Sequence, residues 1–210
     1  TRCLYSRDIA TLCNRRMPGA GCGALNGENR LHAILGGSDR CVATHPSDLA
    51  VALVALDAVL VAQSRSGEHR IPVEAFHLVP GETPDRETAL APGENITAVE
   101  VPATTFARRS LYYKVRDRAS FEFALAAAAV ALDLDEGRIR EARVALGGVA
   151  TKPWRAHSVE AALRDAPLER AAFEAAASHA ADGAKVLAQN GFKVPLVQRA
   201  VLHALVTLGT

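Results

Sequence analysis

Four cysteines, Cys3, Cys13, Cys22 and Cys41, constrain this chain more than any other feature. They follow the spacing C-x9-C-x8-C-x18-C inside a polar opening stretch, residues 1–46, that also holds six glycines. No long apolar periodicity runs through it, so the stretch has little means of ordering itself by burying a hydrophobic face. Something else must fix it. Three chemistries use such a set: paired disulfides, which suit secreted chains, a four-thiolate zinc site, which usually brings close C-x2-C pairs, and an iron-sulfur cluster, which accepts varied spacing. Spacing alone does not choose among them.

The charge around the cysteines bears on the third. Arg2, Arg7, Arg15, Arg16, Arg30 and Arg40 face only Asp8, Glu28 and Asp39. Guanidiniums near a cluster of negative charge would offset that charge and raise its potential; arginines on a surface loop are also commonly just solvated. Gly19, Gly21 and Gly23 flank Cys22, where backbone without Cβ can curl around a cluster and aim amides at its sulfurs, or can simply be mobile.

Elsewhere the composition excludes more than it assigns. With 24 basic and 23 acidic residues the chain has no global field to hold nucleic acid or an anionic membrane. Its longest apolar run, Phe123 to Leu132, is too short to span a bilayer, and residues 1–5 do not resemble a signal peptide. The start at Thr1, without Met, is read as a fragment or a processed chain. The seven histidines, His32, His45, His69, His77, His157, His179 and His203, show no paired metal spacing. Neither a Gly-x-Ser-x-Gly elbow nor a P-loop is present. Trp154, beside Pro153 and between basic residues, is read as a packing anchor, and His203 as a helix-surface residue.

The pattern of elements predicts an α+β chain. Ser47 is an N-cap for a helix over 47–56, carried by Leu49, Leu53 and Leu56. Residues 58–62 and 70–73 read as a hairpin about Ser66-Gly67, and 96–101 as a strand closed by Pro102. A linker at 103–109 separates a unit of residues 1–103 from one of residues 104–210. The second unit opens with a strand at 111–115. At 124–131 an alanine run favours helix by propensity, whereas Val130, Leu132 and Leu134 alternate into the turn Asp135-Glu136-Gly137. A partner at 142–146 tips the balance to a hairpin. Three helices follow: one marked by Val159, Ala162 and Leu163, one opened by Pro167 at N1 and ending near Gly183, and one opened by Pro195 with a stripe of Val197, Ala200, Val201, Ala204, Leu205 and Leu208.

Several strings resemble a known family. Thr1-Arg2-Cys3, Cys13-Asn14, Pro18-Gly19-Ala20-Gly21-Cys22, His32-Ala33 and Cys41-Val42-Ala43-Thr44-His45-Pro46-Ser47-Asp48 are similar to the cluster-bearing insertion in the flavin subunits of periplasmic aldehyde oxidoreductases. 4-Hydroxybenzoyl-CoA reductase has a related insertion. Residues 113–120 (YKVRDRAS), 145–150 (ALGGVA) and 152–155 (KPWR) resemble the C-terminal domain of molybdenum hydroxylase flavoproteins. The resemblance implies the second half of an FAD-binding domain with a [4Fe-4S] loop at 1–46, then a C-terminal sheet-and-helix domain.

It also implies roles. Cys3, Cys13, Cys22 and Cys41 would be the cluster ligands, Asp48 a hydrogen-bond partner of FAD, Lys114 a cation near the isoalloxazine ring, and Ile96 an aliphatic contact on that ring. Without the resemblance, Asp48 is a polar residue in a helix's first turn, Lys114 a strand lysine that deters aggregation, and Ile96 a core residue. The family places no catalytic residue in this subunit. It passes electrons from a molybdopterin subunit, through [2Fe-2S] clusters in a small subunit, to FAD and an external acceptor. The family's N-terminal FAD subdomain and its Gly-Gly-Asn segment are expected before Thr1; if another chain supplies them the FAD site is composite, and if they are absent the fragment would hold a cluster and no flavin. The complexes this insertion resembles reach the periplasm on a partner's signal; a cytoplasmic version fits the sequence as well. The rival from another class is a non-enzymatic interaction module held by zinc or a structural cluster.

Overall fold

The computed structural model describes residues 3–209. Expectations that involve Thr1 and Arg2 lie outside them. Beyond a single short helix, α1 (Leu4–Arg7), the cysteine stretch has turns and isolated bridges rather than regular elements. Regular structure starts where the Ser47 cap predicts it, but not on the expected leucine face: Leu49 is 69% exposed, and the helix buries Ala50, Val51, Val54 and Ala55. The Ser47 hydroxyl accepts a hydrogen bond from the Ala50 amide and starts α2 (Asp48–Ala55).

Two antiparallel sheets follow. In the smaller, β1 (Val59–Ser64) pairs on one side with β2 (Gly67–Pro72) and on the other with β3 (Asn95–Glu100). Leu60, Val61 and Ala62 of the central strand are buried, and β3 is exposed along its whole length. The short α3 (Val73–Phe76) leads away from β2 and buries Val73 and Phe76.

The larger sheet has the order β4 (Ser110–Val115), β5 (Ala126–Asp135), β6 (Arg138–Gly147), β7 (Trp154–Arg155). Between β5 and β6, Glu136 and Gly137 take positive φ of 47° and 78°, the backbone a tight hairpin turn requires. The alanine run is therefore strand. Its small side chains follow from burial on both faces. Ala126, Ala128, Val130 and Leu132 pack into the core under the C-terminal helices, whereas Ala129 and, on β6, Ala145 point to the core under α2. Alanine's helix preference amounts to a few tenths of a kcal/mol per residue, too little against two packed faces.

On one side of this sheet lie α4 (His157–Leu163), α5 (Arg170–Ser178) and α6 (Lys193–Gly209). The stripe read from sequence holds: Val197, Ala200, Val201, Ala204 and Leu205 are buried, with Leu208 packed at the margin. One expectation fails. Pro167 does not open a helix, because it bridges to Arg138 at the end of the β5–β6 hairpin, and α5 starts at Arg170 after the cap Glu169. None of the helices among the described residues is long and apolar enough to cross a membrane.

The cysteine stretch, predicted to lack reasons to order, is held by tertiary hydrogen bonds. The Lys193 ammonium is fully buried at the start of α6 and donates to the carbonyls of Leu31, His32 and Gly148 at 3.0, 3.0 and 2.7 Å. Buried Asn190 donates to the carbonyls of His32 and Ala33. Asn29 and Gln189 exchange amide bonds in both directions. The amides of Ile34 and Leu35 both donate to the Val149 carbonyl, the His45 amide donates to Ala150, and Ile34 and Leu35 enter the main core. Trp154 packs against that core, as its anchor reading requires.

Lys193→Met would leave carbonyls buried without their donor, a loss on the order of 2–4 kcal/mol. Chemical denaturation should show that loss, and hydrogen exchange should show lowered protection over residues 29–45, while β5 and β6 keep theirs.

Candidate functional site

Within the loop the cysteines are drawn together. Cys13 and Cys22 form an antiparallel bridge, reinforced by the Gly23 amide donating to Leu12. Cys3 and Cys41 share a small buried cluster with Ala43 and Tyr5. Asn14, only 3% exposed, links these pieces: its side chain donates to the Arg40 carbonyl at 2.9 Å and accepts from the Gly21 amide at 2.8 Å, so the neighbourhoods of Cys13, Cys22 and Cys41 meet at one residue. Gly21 has φ +98°, and a Cβ on Gly23 would lie 2.7 Å from the Tyr5 ring, so both glycines are geometric necessities of the loop.

None of the four cysteines is paired in a disulfide. Burial pushes the Cys3 and Cys41 thiols up; backbone amides at Ser6 and Tyr5 partly oppose this at Cys3, and the Ala43 amide and Arg15 do so at Cys41. The thiols of Cys22 and Cys41 also raise Cys3, and Cys22 raises Cys41. Three of the four sulfurs therefore lie within mutual electrostatic reach. Among the described residues no group of three or more His, Cys, Asp or Glu is gathered as the ligands of a single metal ion are.

The arginines divide. Arg30 makes a bidentate pair with Asp117, Arg40 pairs with Glu82, and Arg16 donates to loop carbonyls of Tyr5, Ser6 and Thr11. Among the described residues, the Arg15 guanidinium acts on Cys41. It pairs with Glu87 at 2.7 Å, and its buried Nε has no hydrogen-bond partner.

The second constellation grows from strand alternation. Leu111 and Tyr113 of β4 face the main core, so Tyr112 and Lys114 share the other face, toward α2. There Asp48, first residue of α2, accepts from Tyr112 Oη at 2.9 Å and from Lys114 Nζ at 2.6 Å. Burial, then the Asp48 carboxylate, raise the Tyr112 phenol far above its ordinary range, so it stays a neutral donor. Tyr112 was not singled out in the sequence, although it is two residues from Lys114, the separation that puts strand neighbours on one face. Asp48 has unused lone pairs and Lys114 further N–H donors.

Beside Asp48 runs a crevice lined by His45, Pro46, Ser47, Ala124, Gly147 and Gly148. A Cβ on Gly148, at φ +73°, would press on the carbonyls of Ala124 and Leu125. The cavity is about 10 Å³, far below the roughly 300–1,000 Å³ of ligand pockets, so the described residues enclose no ligand-sized pocket beside Asp48. Ile96, which on its own would be core, is 44% exposed on β3 of the other sheet. The structure brings Asp48 and Lys114 together and leaves Ile96 apart from them on its own sheet.

His45 lies between the two constellations, on the segment from Cys41 to Asp48. Its ring meets that of His77 edge-on at 4.3 Å between centroids, and its Nδ1 accepts from the Ser47 amide. Burial lowers both to about 4, aided at His45 by the charges of His77 and Arg15 and at His77 by Lys152.

A four-stranded sheet backed by helices, with a carboxylate and an ammonium on its opposite face, is the architecture of a flavoprotein domain. Residues 111–207 match the CO dehydrogenase flavoprotein C-terminal domain, and residues 16–104 the FAD binding domain in molybdopterin dehydrogenase. The aldehyde oxidoreductase FAD-binding subunit PaoB of Escherichia coli is 46% identical over 98% of this chain and 61% of its own. The glyceraldehyde dehydrogenase medium chain of Sulfolobus acidocaldarius is 36% identical over 54% of this chain and 38% of its own. Quinoline 2-oxidoreductase of Pseudomonas putida shares the fold at TM-score 0.67 and 20% identity, covering 87% of this chain and 59% of that one. The chain belongs to the FAD-binding subunits of the molybdenum hydroxylase family. It spans about three fifths, or less, of the length of these relatives.

The two depressed histidines give a stability prediction. Between pH 6.5 and 4 the unfolded chain binds protons that folded His45 and His77 do not, so stability rises with pH there and is lost as pH falls from 6.5 toward 4. Denaturant midpoints measured from pH 7 to pH 4.5 should drop, and the His45→Gln/His77→Gln double variant should show a visibly flatter slope.

Proposed function

We propose that this chain is an electron-transfer subunit of a molybdenum hydroxylase complex, of the aldehyde oxidoreductase type, that binds FAD and a [4Fe-4S] cluster. Residues 1–103 are the second half of an FAD-binding domain with the cluster loop at 1–46, and residues 104–210 the C-terminal flavoprotein domain. A molybdopterin-binding large subunit and a [2Fe-2S] small subunit are its partners; electrons from the molybdenum centre reach this chain through the latter and leave it for an external acceptor. The name of the Escherichia coli relative supports the aldehyde substrate class.

One observation carries the reading: the segment from Cys41 to Asp48 joins a loop of four cysteines, none of them in a disulfide, to a wall built from Asp48, Tyr112 and Lys114. Four thiolates are the ligand set that a [4Fe-4S] cluster takes, and none of these four is held in a disulfide. Arg15, half-buried, supplies positive charge beside Cys41. At the wall, Asp48 accepts hydroxyl donors of FAD, Lys114 offers a cation to an electron-rich ring, and Ile96 contributes an aliphatic contact. FAD, when bound, supplies the step between paired and single electrons. Because the wall encloses so little volume, the site is completed by a further chain or segment.

Protein purified without oxygen in its full complex should contain equal iron and acid-labile sulfide, together with flavin. Zinc without iron would instead support the interaction module. Cys22→Ser should bleach the visible iron-sulfur absorbance; an unchanged spectrum sinks the assignment. Asp48→Ala should weaken flavin retention by roughly 10- to 100-fold, the loss of a charged hydrogen bond of about 1.5–3 kcal/mol, with iron content unchanged.

A further inference from the structure

His32 is the histidine that the cysteine loop folds around. It was one of seven scattered histidines in the sequence, and it is 6% exposed in the fold. Its backbone is fixed from both sides: the amide donates to the Asn29 carbonyl at 2.9 Å, and its own carbonyl accepts from Lys193 and Asn190. The side chain therefore emerges from a rigid point, and its Nε2 reaches to 3.2 Å from Cys3 Sγ. The Tyr5 ring lies alongside, 6.1 Å between centroids. Beyond His32 opens a cleft of about 560 Å³ lined by Leu4, Arg7, Glu28, Arg30, Leu31 and Gln189.

We propose that His32 sets the reduction potential of the centre held by the cysteine loop, by donating a hydrogen bond from Nε2 to the sulfur of Cys3. The proposal rests on the cluster reading above. A ligand thiolate has lone pairs and no hydrogen, so it can only accept, and Nε2 must carry the proton of the contact. A donor aimed at a ligand sulfur withdraws electron density from the iron-sulfur bond and stabilises the reduced, more negative state. His32 touches a ligand rather than the reacting atoms, so it is a positioning residue.

The test is an EPR-monitored redox titration of the full-length chain in its complex, with iron and sulfide measured on the same samples. His32→Phe keeps a ring and removes the donor, and should lower the potential by at least about 59 mV, a tenfold shift in a one-electron equilibrium. His32→Gln keeps an N–H donor and should stay near the wild-type value. A wild-type potential in His32→Phe, or equal shifts in both variants, overturns the inference while leaving the cluster reading intact. A second readout needs no variant: with isotope-labelled histidine, the reduced wild-type centre should show hyperfine coupling to one imidazole nitrogen, and its absence overturns the inference even if His32→Phe fails to hold iron. Wild-type complex without iron and sulfide overturns the cluster reading and this inference together.

Discussion

One buried ammonium organises this molecule. Lys193 stands at the start of α6 with no exposure to solvent, and its three hydrogen bonds go to two carbonyls of the cysteine loop and one of the glycine pair after β6. A charge held away from water is tolerated only when its donors are satisfied, so those three carbonyls are fixed relative to one another and to the helix. Two of them belong to Leu31 and His32, beside the cysteines; the third, Gly148, lines the crevice next to Asp48. A single side chain thus sets the distance between the two chemical centres of the protein.

The sheet at the middle does the same for the second centre. Because β5 and β6 are packed on both faces, their register is fixed by two cores at once. That register carries β4 with it, and strand alternation then presents Tyr112 and Lys114 to α2. The helix is anchored in turn: Arg155, buried at the end of β7, bonds Asp57 and the Val54 carbonyl just beyond and within α2, and Arg143 of β6 reaches the same Asp57. Burial alone would raise the Asp57 carboxyl; the two guanidiniums hold it below the usual carboxylate range. Asp48 is consequently positioned from both ends of its helix.

Membership in the flavin-binding subunits of molybdenum hydroxylases rests on both halves of the chain, matched in order. The architecture explains why this portion presents a wall and not a pocket. Its smaller sheet leaves β3 exposed, and its polar residues beside Asp48 converge on a crevice rather than a cavity.

Local patterns in the sequence determined the elements whose signals are themselves local: the Ser47 cap, the hairpin turn at Glu136 and Gly137, and the apolar stripe of α6. They also singled out the four cysteines, Asp48 and Lys114, through residue type and through resemblance. They misjudged Pro167, which suits a helix start by itself and is held in a bridge by Arg138. Nor could they find Tyr112, Asn14, His32 or Lys193 as working residues, because each acts on a partner far along the chain, 158 to 162 residues away for the bonds from Asn190 and Lys193. The opening stretch has no periodicity of its own, so its order was invisible to the sequence. Only the tertiary structure decides it, because the donors that satisfy its backbone belong to the other end of the protein.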